Sequence, residues 1–207
     1  MNAVLTRRSP RLLGAALVLI TLTIVAGPLA HPVPALATAP GTNRVFDRQF
    51  IDMMVPHHMG AVAMARIALA RAQHPAIKRL ARSIIADQDR EIARMKAWRK
   101  AWYGSATTPP MDRMPMLPGL MMHMDMMGDV SRLKTATPFD RAFIDAMIPH
   151  HRMAVAAAKL ELASGSHPEL KALALSIIES QSREIGLMQA YREVWYGSID
   201  HMPGMDH

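Results

Sequence analysis

The chain has no cysteine among its 207 residues. Disulfides, thiolate metal sites and a cysteine nucleophile are therefore excluded. Aromatic residues make up only 5% of the sequence, which weighs against β-sandwiches and barrels and favours a helical core built from Ala, Leu, Ile and Met. There is no Ser–His–Asp arrangement, no phosphate-binding loop and no dinucleotide fingerprint. Lys and Arg outnumber Asp and Glu by 24 to 17, but no basic run is interleaved with aromatics, so nucleic-acid binding is not expected. The long uncharged apolar run, Leu12–Ala26, is shorter than the roughly 20 residues a bilayer span requires.

That run follows Arg7, Arg8 and Arg11 and precedes Pro28 and Ala35-Leu36-Ala37. A basic start, a short apolar stretch and a small-x-small site read as a signal peptide over residues 1–37. Thr6-Arg7-Arg8 loosely resembles a twin-arginine start, but Pro10 stands where that motif prefers an aromatic residue. Without cysteine there is no lipoprotein anchor. The expectation is an exported protein, in the periplasm, in the cell envelope or secreted, with no membrane span after cleavage. Residues 38–43 read as a linker.

What the chain does have is a sentence said twice. FDRQFIDMMVPHH starts at Phe46 and FDRAFIDAMIPHH at Phe139, and 35 of the 60 pairs between 46–105 and 139–198 are identical at an offset of 93. In each repeat, apolar residues recur at helical spacing on both sides of a turn: Phe46, Phe50, Met54, Val62, Ala65 and Leu69, then Ile77, Leu80, Ala81, Ile84, Gln88, Ile92 and Met95. Pro75 and Pro168 follow the turns, where a first helical residue needs no N–H. Gly104 and Gly197 end the second helices. Each repeat is thus predicted to be a helical hairpin, and two hairpins are needed to bury both apolar stripes. The predicted fold is all-α: an antiparallel four-helix bundle over residues 44–198, with a connector at 106–136 and a His/Met tail at 199–207.

The chemistry-bearing residues repeat with the fold. His57–His58 and His150–His151 are tandem pairs, each with Met54 or Met147 three residues earlier. Folding each hairpin at its turn brings Gln88 and Glu91 level with the first pair and Gln181 and Glu184 with the second. Met95 and Met188 then lie level with Asp52 and Asp145. Adjacent helical side chains diverge by about 100°, so one histidine of each pair is expected in the core and the other toward a groove or the partner hairpin. Pro56 and Pro149, inside the helices, free the carbonyls of Asp52 and Asp145 and bend the chain. Core or capping histidines are the bland alternative; duplication together with Met, Gln and Glu favours ligands. His74 and His167 also repeat, but they precede proline in the turns and read as cap neighbours. Between the hairpins, Met111–Met127 holds eight methionines with His123, broken by Pro115, Pro118 and Gly119, and the alternative reading there is a flexible apolar lid.

Thioether and imidazole together suit copper, as Cu(I) through Met and His or Cu(II) through His and carboxylate. The candidate ligands are Met54, His57, His58, Glu91 and Met95; Met147, His150, His151, Glu184 and Met188; and Met121, Met122, His123, Met124 and Met126. Ordinary imidazoles would lose metal as pH falls through roughly 6.5. A di-iron bundle site needs Glu-x-x-His on two helices, whereas this chain has Glu91-x-x-Arg94 and Glu184-x-x-Leu187.

The motif F-D-x-x-F-x-x-x-M-[IV]-x-H-H, the later Q-x-x-E-I and the Met-rich connector resemble the domain of unknown function 305 family, over about Phe46 to Ser198. That resemblance implies a ferritin-like four-helix bundle, and copper binding in an exported protein through Met54, His57, His58, Met147, His150 and His151. The repeats are not identical at the site: Met53, Met59 and Met64 face Ala146, Arg152 and Ala157, while Gly60 faces Met153. The expected function is copper sequestration, buffering or delivery, with copper ions and a copper-transport or envelope protein as partners, and not catalysis. A metal-dependent oxidase, with Glu91 and Glu184 moving protons, and an envelope interaction module with structural histidines are the alternatives.

Overall fold

Residues 40–120 and 126–197 are described in a computed structural model. Five α-helices account for most of them, and no strand occurs among the described residues. They are α1 (Pro40–Arg71), α2 (Pro75–Tyr103), α3 (Met126–Leu133), α4 (Phe139–Ser164) and α5 (Pro168–Tyr196), with a single 3-10 turn at Met111–Arg113. No helix among the described residues is long and apolar enough to cross a membrane. The segment read as a signal peptide and the tail beyond Gly197 lie outside the described residues.

α1 packs along α2 and α4 along α5, forming the two expected hairpins, which meet chiefly through α1 and α4. α1 starts at Pro40, inside the stretch read as a linker. α3 occupies the end of the connector and packs on α1 and α4. Pro75 and Pro168 open α2 and α5 behind extended residues His74 and His167, and left-handed Gly104 closes α2.

The apolar interior falls into two clusters. One gathers Phe50, Met54, Met95, Met153, Leu173 and Ile177. The other gathers Met64, Ile77, Leu80, Phe143, Met147 and Met188. Burying each such side chain contributes about 1.5–3 kcal/mol. Along α1 the chain passes from the first cluster to the second; along α4 it passes back. At both crossings stand the tandem histidines. Leu117 and Leu120 from the connector are buried in the first cluster, with Met114 packed against it. The connector is therefore part of the core as well as a Met-rich stretch, because its leucines alternate with its proline breaks.

The hairpins cap one another. Asp47 of α1 accepts from the backbone N–H of Ser166 (2.8 Å) and His167 (3.1 Å) and from the Ser166 hydroxyl (2.6 Å) at the start of α5. Asp140 of α4 accepts from the N–H groups of Gln73 and His74 before α2. Orphan N–H groups at a helix start must find acceptors, and each hairpin takes its acceptor from the other. Two buried arginines repeat the theme within each hairpin. Arg99 Nε donates to Asp52 (2.5 Å) and Arg192 Nε to Asp145 (2.7 Å), while their Nη1 groups satisfy the carbonyls of Ser105 and Gly197. Asp52 and Asp145 are thus held by guanidinium groups, not free for a metal layer.

Candidate metal centre

The four histidines of the tandem pairs are fully buried. Divergence along the helix separates their roles, but neither member of a pair faces an open groove. His58 and His151 turn toward the second helix of their own hairpin: His58 Nε2 meets Glu91 Oε2 at 2.7 Å, and His151 Nε2 meets Glu184 Oε2 at 2.8 Å. This matches the level pairing expected from folding each hairpin at its turn. His57 and His150 turn toward each other across the bundle, with ring centroids 3.7 Å apart and planes tilted by 38°. The outer rings lie 6.1 and 6.2 Å from the inner ones. The sequence reading assigned one site to each hairpin; in the fold the inner imidazoles of the two hairpins lie against each other.

The four ring nitrogens of the inner pair make no well-aligned hydrogen bond; each ring only nears the backbone of the facing histidine. Most buried polar groups are paired, and leaving one unpaired costs about 1–3 kcal/mol. Nδ1 of His58 and of His151 is also buried and unpartnered, as are the side-chain amides of Gln88 and Gln181. A neutral imidazole giving its Nε2–H to a carboxylate keeps its lone pair on Nδ1, the arrangement in which outer groups orient metal-binding histidines. Burial, reinforced by the neighbouring imidazoles, holds His57 and His150 well below the usual histidine range. Both are neutral near physiological pH, and the pH at which the layer would lose its lone pairs lies below the 6.5 expected from the sequence.

Methionines stand in the two apolar clusters between which the tandem histidines fall along α1 and α4. Met54 and Met95 are buried in the first cluster and Met147 and Met188 in the second. Met54 and Met147 sit one helical turn before the inner histidines. Met153, which replaces Gly60, and Met64, which has no counterpart, add one thioether to each cluster. Met53 is buried and Met59 is exposed. Among the described residues no three His, Asp or Glu side chains converge as a ready ligand cluster. The donors these residues offer are imidazole and thioether, a chemistry that suits a soft or borderline cation better than a hard one. Of the connector ligands, Met121, Met122, His123 and Met124 lie outside the described residues, and Met126 begins α3.

His74 and His167 occupy the cap positions expected for them. His74 Nδ1 bonds Asp140 (2.6 Å) and its ring stacks on Trp195 at 3.9 Å; His167 Nδ1 bonds Asp47 and stacks on Trp102 at 3.6 Å. Sequence reasoning missed Asp47, Asp140, Arg99 and Arg192, although each is an identical pair in the repeat. It also missed Glu161, which has no counterpart because repeat one has Ala68 there. Glu161 is fully buried, and burial, with Asp47 beside it, pushes its carboxyl up to about 9. A Cβ at Gly165 would collide with that carboxyl, so Glu161 and Gly165 together replace Ala68 and Ala72 of repeat one.

The profile of the family described as Domain of unknown function (DUF305) matches residues 47–192. CopM in its Cu(I)-bound form is 44% identical, with 73% of this chain and 98% of that chain covered and a TM-score of 0.61. Its Cu(II)-bound form, also 44% identical, gives 72%, 97% and 0.63. A presumed secreted DUF305 protein from Streptomyces coelicolor is 30% identical over 70% of this chain and 91% of its own, with a TM-score of 0.60. An uncharacterized protein of Acanthamoeba polyphaga mimivirus is 39% identical over 51 residues, 25% of this chain and about a third (34%) of that relative's length.

Proposed function

The chain belongs to the DUF305 family, and from that premise we propose that it is an exported copper-binding protein whose principal site is the histidine layer shared by its two hairpins. One observation carries the reading: His57 and His150 touch in the bundle core with all four ring nitrogens buried and unpartnered. A fold that tolerates this cost gains most when something supplies the missing contacts. His57 and His150 bind, Met54 and Met147 offer thioethers from the adjoining turns, and His58 and His151 stand behind them on Glu91 and Glu184. CopM has been solved with Cu(I) and with Cu(II) bound, which supports copper as the ion. Residues 1–37 supply export, and a presumed secreted relative supports that assignment. The role is binding, for sequestration, buffering or delivery, and not turnover.

The test is Cu(I) titration of the tag-free mature chain against a chromophoric chelator, beside the variant His57→Ala/His150→Ala. The variant is expected to lose the tightest-bound ion and the copper-induced rise in Tm, since a ligand present at 100 times its Kd stabilises by about 2.7 kcal/mol. Equal binding by both chains would make these histidines structural and favour the interaction-module reading.

A further inference from the structure

Two cavities lie in the groove between α2 and α5, and the repeat relates one to the other. The first, of about 340 Å³, is lined by Arg79, Ser83, Asp87, Ser180, Arg183, Glu184 and Leu187, among others. The second, of about 260 Å³, is lined by Ser176, Ser180, Asp87, Arg90, Glu91 and Arg94. At the offset of 93, Ser83 maps to Ser176, Asp87 to Ser180, Arg90 to Arg183, Glu91 to Glu184 and Arg94 to Leu187. The groove thus straddles the pseudo-two-fold axis, and Asp87 and Ser180 line both of its mouths.

Each mouth ends on a carboxylate that continues inward. Glu184 and Glu91 keep 13% and 10% of their side chains exposed, while their hydrogen-bond partners His151 and His58 keep none. Behind those rings stand His150 and His57. From solvent to core the order is groove, carboxylate, outer imidazole, inner imidazole, once from each side. The mouths differ in charge. Arg90, Arg94 and Arg183 line the mouth at Glu91, with Arg90 paired to Asp87, whereas the larger cavity at Glu184 has two arginines, Arg79 and Arg183, and Leu187 in place of Arg94.

We infer that the α2/α5 groove is the loading route to the histidine layer, and that copper passes chiefly through the Glu184–His151 mouth. This rests on the proposed function. Carboxylate oxygen at the rim captures a cation that imidazole further in holds more firmly. The mouth with the third arginine repels the same cation more strongly at short range.

Loading is measured by stopped flow, as colour lost from a Cu(I)–chelator complex. The layer's share is the part absent in His57→Ala/His150→Ala. Ser180→Trp fills the groove from a position that touches both cavities. It should slow the layer phase about tenfold, a loss of the size seen when groups around a metal site are disturbed, and leave the final stoichiometry unchanged. Leu187→Arg copies the repelling mouth onto the other side and should slow loading at low salt, with the difference vanishing as salt screens it. Val194→Trp, exposed and outside the groove, checks that a new tryptophan alone changes nothing. Loading of Ser180→Trp at the parent rate, with the fold intact by circular dichroism, overturns the route. Loss of its final stoichiometry overturns it also, because the groove would then be holding the ion. A Leu187→Arg effect that salt leaves unchanged overturns the preference for the Glu184 mouth. The absence of any layer phase in the parent chain overturns the proposed function itself.

Discussion

His74 and His167 at the turns and His57 and His150 in mid-bundle are repeated at the same spacing, and in both sets each ring lies against an aromatic neighbour. Their partners differ completely. The turn histidines bond a carboxylate and stack on tryptophan. The mid-bundle pair makes no well-formed hydrogen bond and has only each other, ring against ring and ring near backbone. Repetition by itself therefore does not mark a ligand; accounting for each nitrogen does. A satisfied histidine holds the hairpins together, and an unsatisfied one is available to a guest.

The comparison breaks most visibly at the caps. Asp47→Ala removes a fully buried carboxylate that anchors two N–H groups, a hydroxyl and His167. Leaving such donors without an acceptor costs about 1–3 kcal/mol each; a total of about 3 kcal/mol is equivalent to a fall in Tm of roughly 6–12 °C for a chain of this size. Copper stoichiometry should not change. If thermal unfolding shows no loss, the crossed caps do not hold the hairpins.

At the layer the sign should reverse. His57→Leu with His150→Leu replaces orphaned polar groups by apolar ones of similar bulk. With metal removed by chelator, the variant should be more stable than the parent by about 1–3 kcal/mol, the cost of leaving buried polar groups unpaired. It should gain nothing from added copper. Equilibrium denaturation in both conditions measures it, and a destabilised apo variant would mean that these rings already pack as satisfied core residues.

Much of this contrast was legible in advance. Period and turn residues gave the hairpins, and equal distance from the turn placed His58 beside Glu91 and His151 beside Glu184. The turn histidines were read as cap neighbours from the proline that follows them. What could not be read was the contact between hairpins. Spacing within a hairpin says which side chains lie level, but not that His57 and His150 share one layer, nor that Asp47 caps a helix 119 residues away. Arg99 and Arg192 were hidden for a different reason: charged residues on a helix read as solvated, and only packing shows that both are buried.

Acidity sharpens the comparison further. His57 and His150 are depressed when folded, so the apo chain keeps their contribution above about 6.5 and loses it as pH falls below that. Glu161 is raised, from 4.5 to about 9, so its contribution is complete at low pH and is lost as pH rises through that window. Two histidines outweigh one carboxyl on the acid side, and the carboxyl acts alone above 6.5. Apo stability should therefore peak near the histidine value. Glu161→Gln should flatten the alkaline limb and His57→Leu/His150→Leu the acid limb. Denaturant midpoints from pH 5 to 9 decide it, and an unchanged alkaline limb in Glu161→Gln would show that this carboxyl ionises freely.

The smallest effect on the fold belongs to the connector. Deleting Met111–Met127 would remove Leu117 and Leu120 from the core and confuse loss of metal with loss of structure. Changing Met121, Met122, Met124 and Met126 to Leu avoids this, since Leu and Met exchange with little change in volume. If the segment is only an apolar lid, leucine serves as well and Cu(I) stoichiometry stays the same. If it captures copper, the thioethers are what matter, and stoichiometry falls while Tm of the apo chain moves by no more than the equivalent of about 0.5 kcal/mol. The histidine layer supplies the internal reference: its copper should survive in the leucine variant and vanish in His57→Leu/His150→Leu. Loss of the layer's ion in the leucine variant would show that the two regions form one site, and the comparison would then have to be drawn elsewhere.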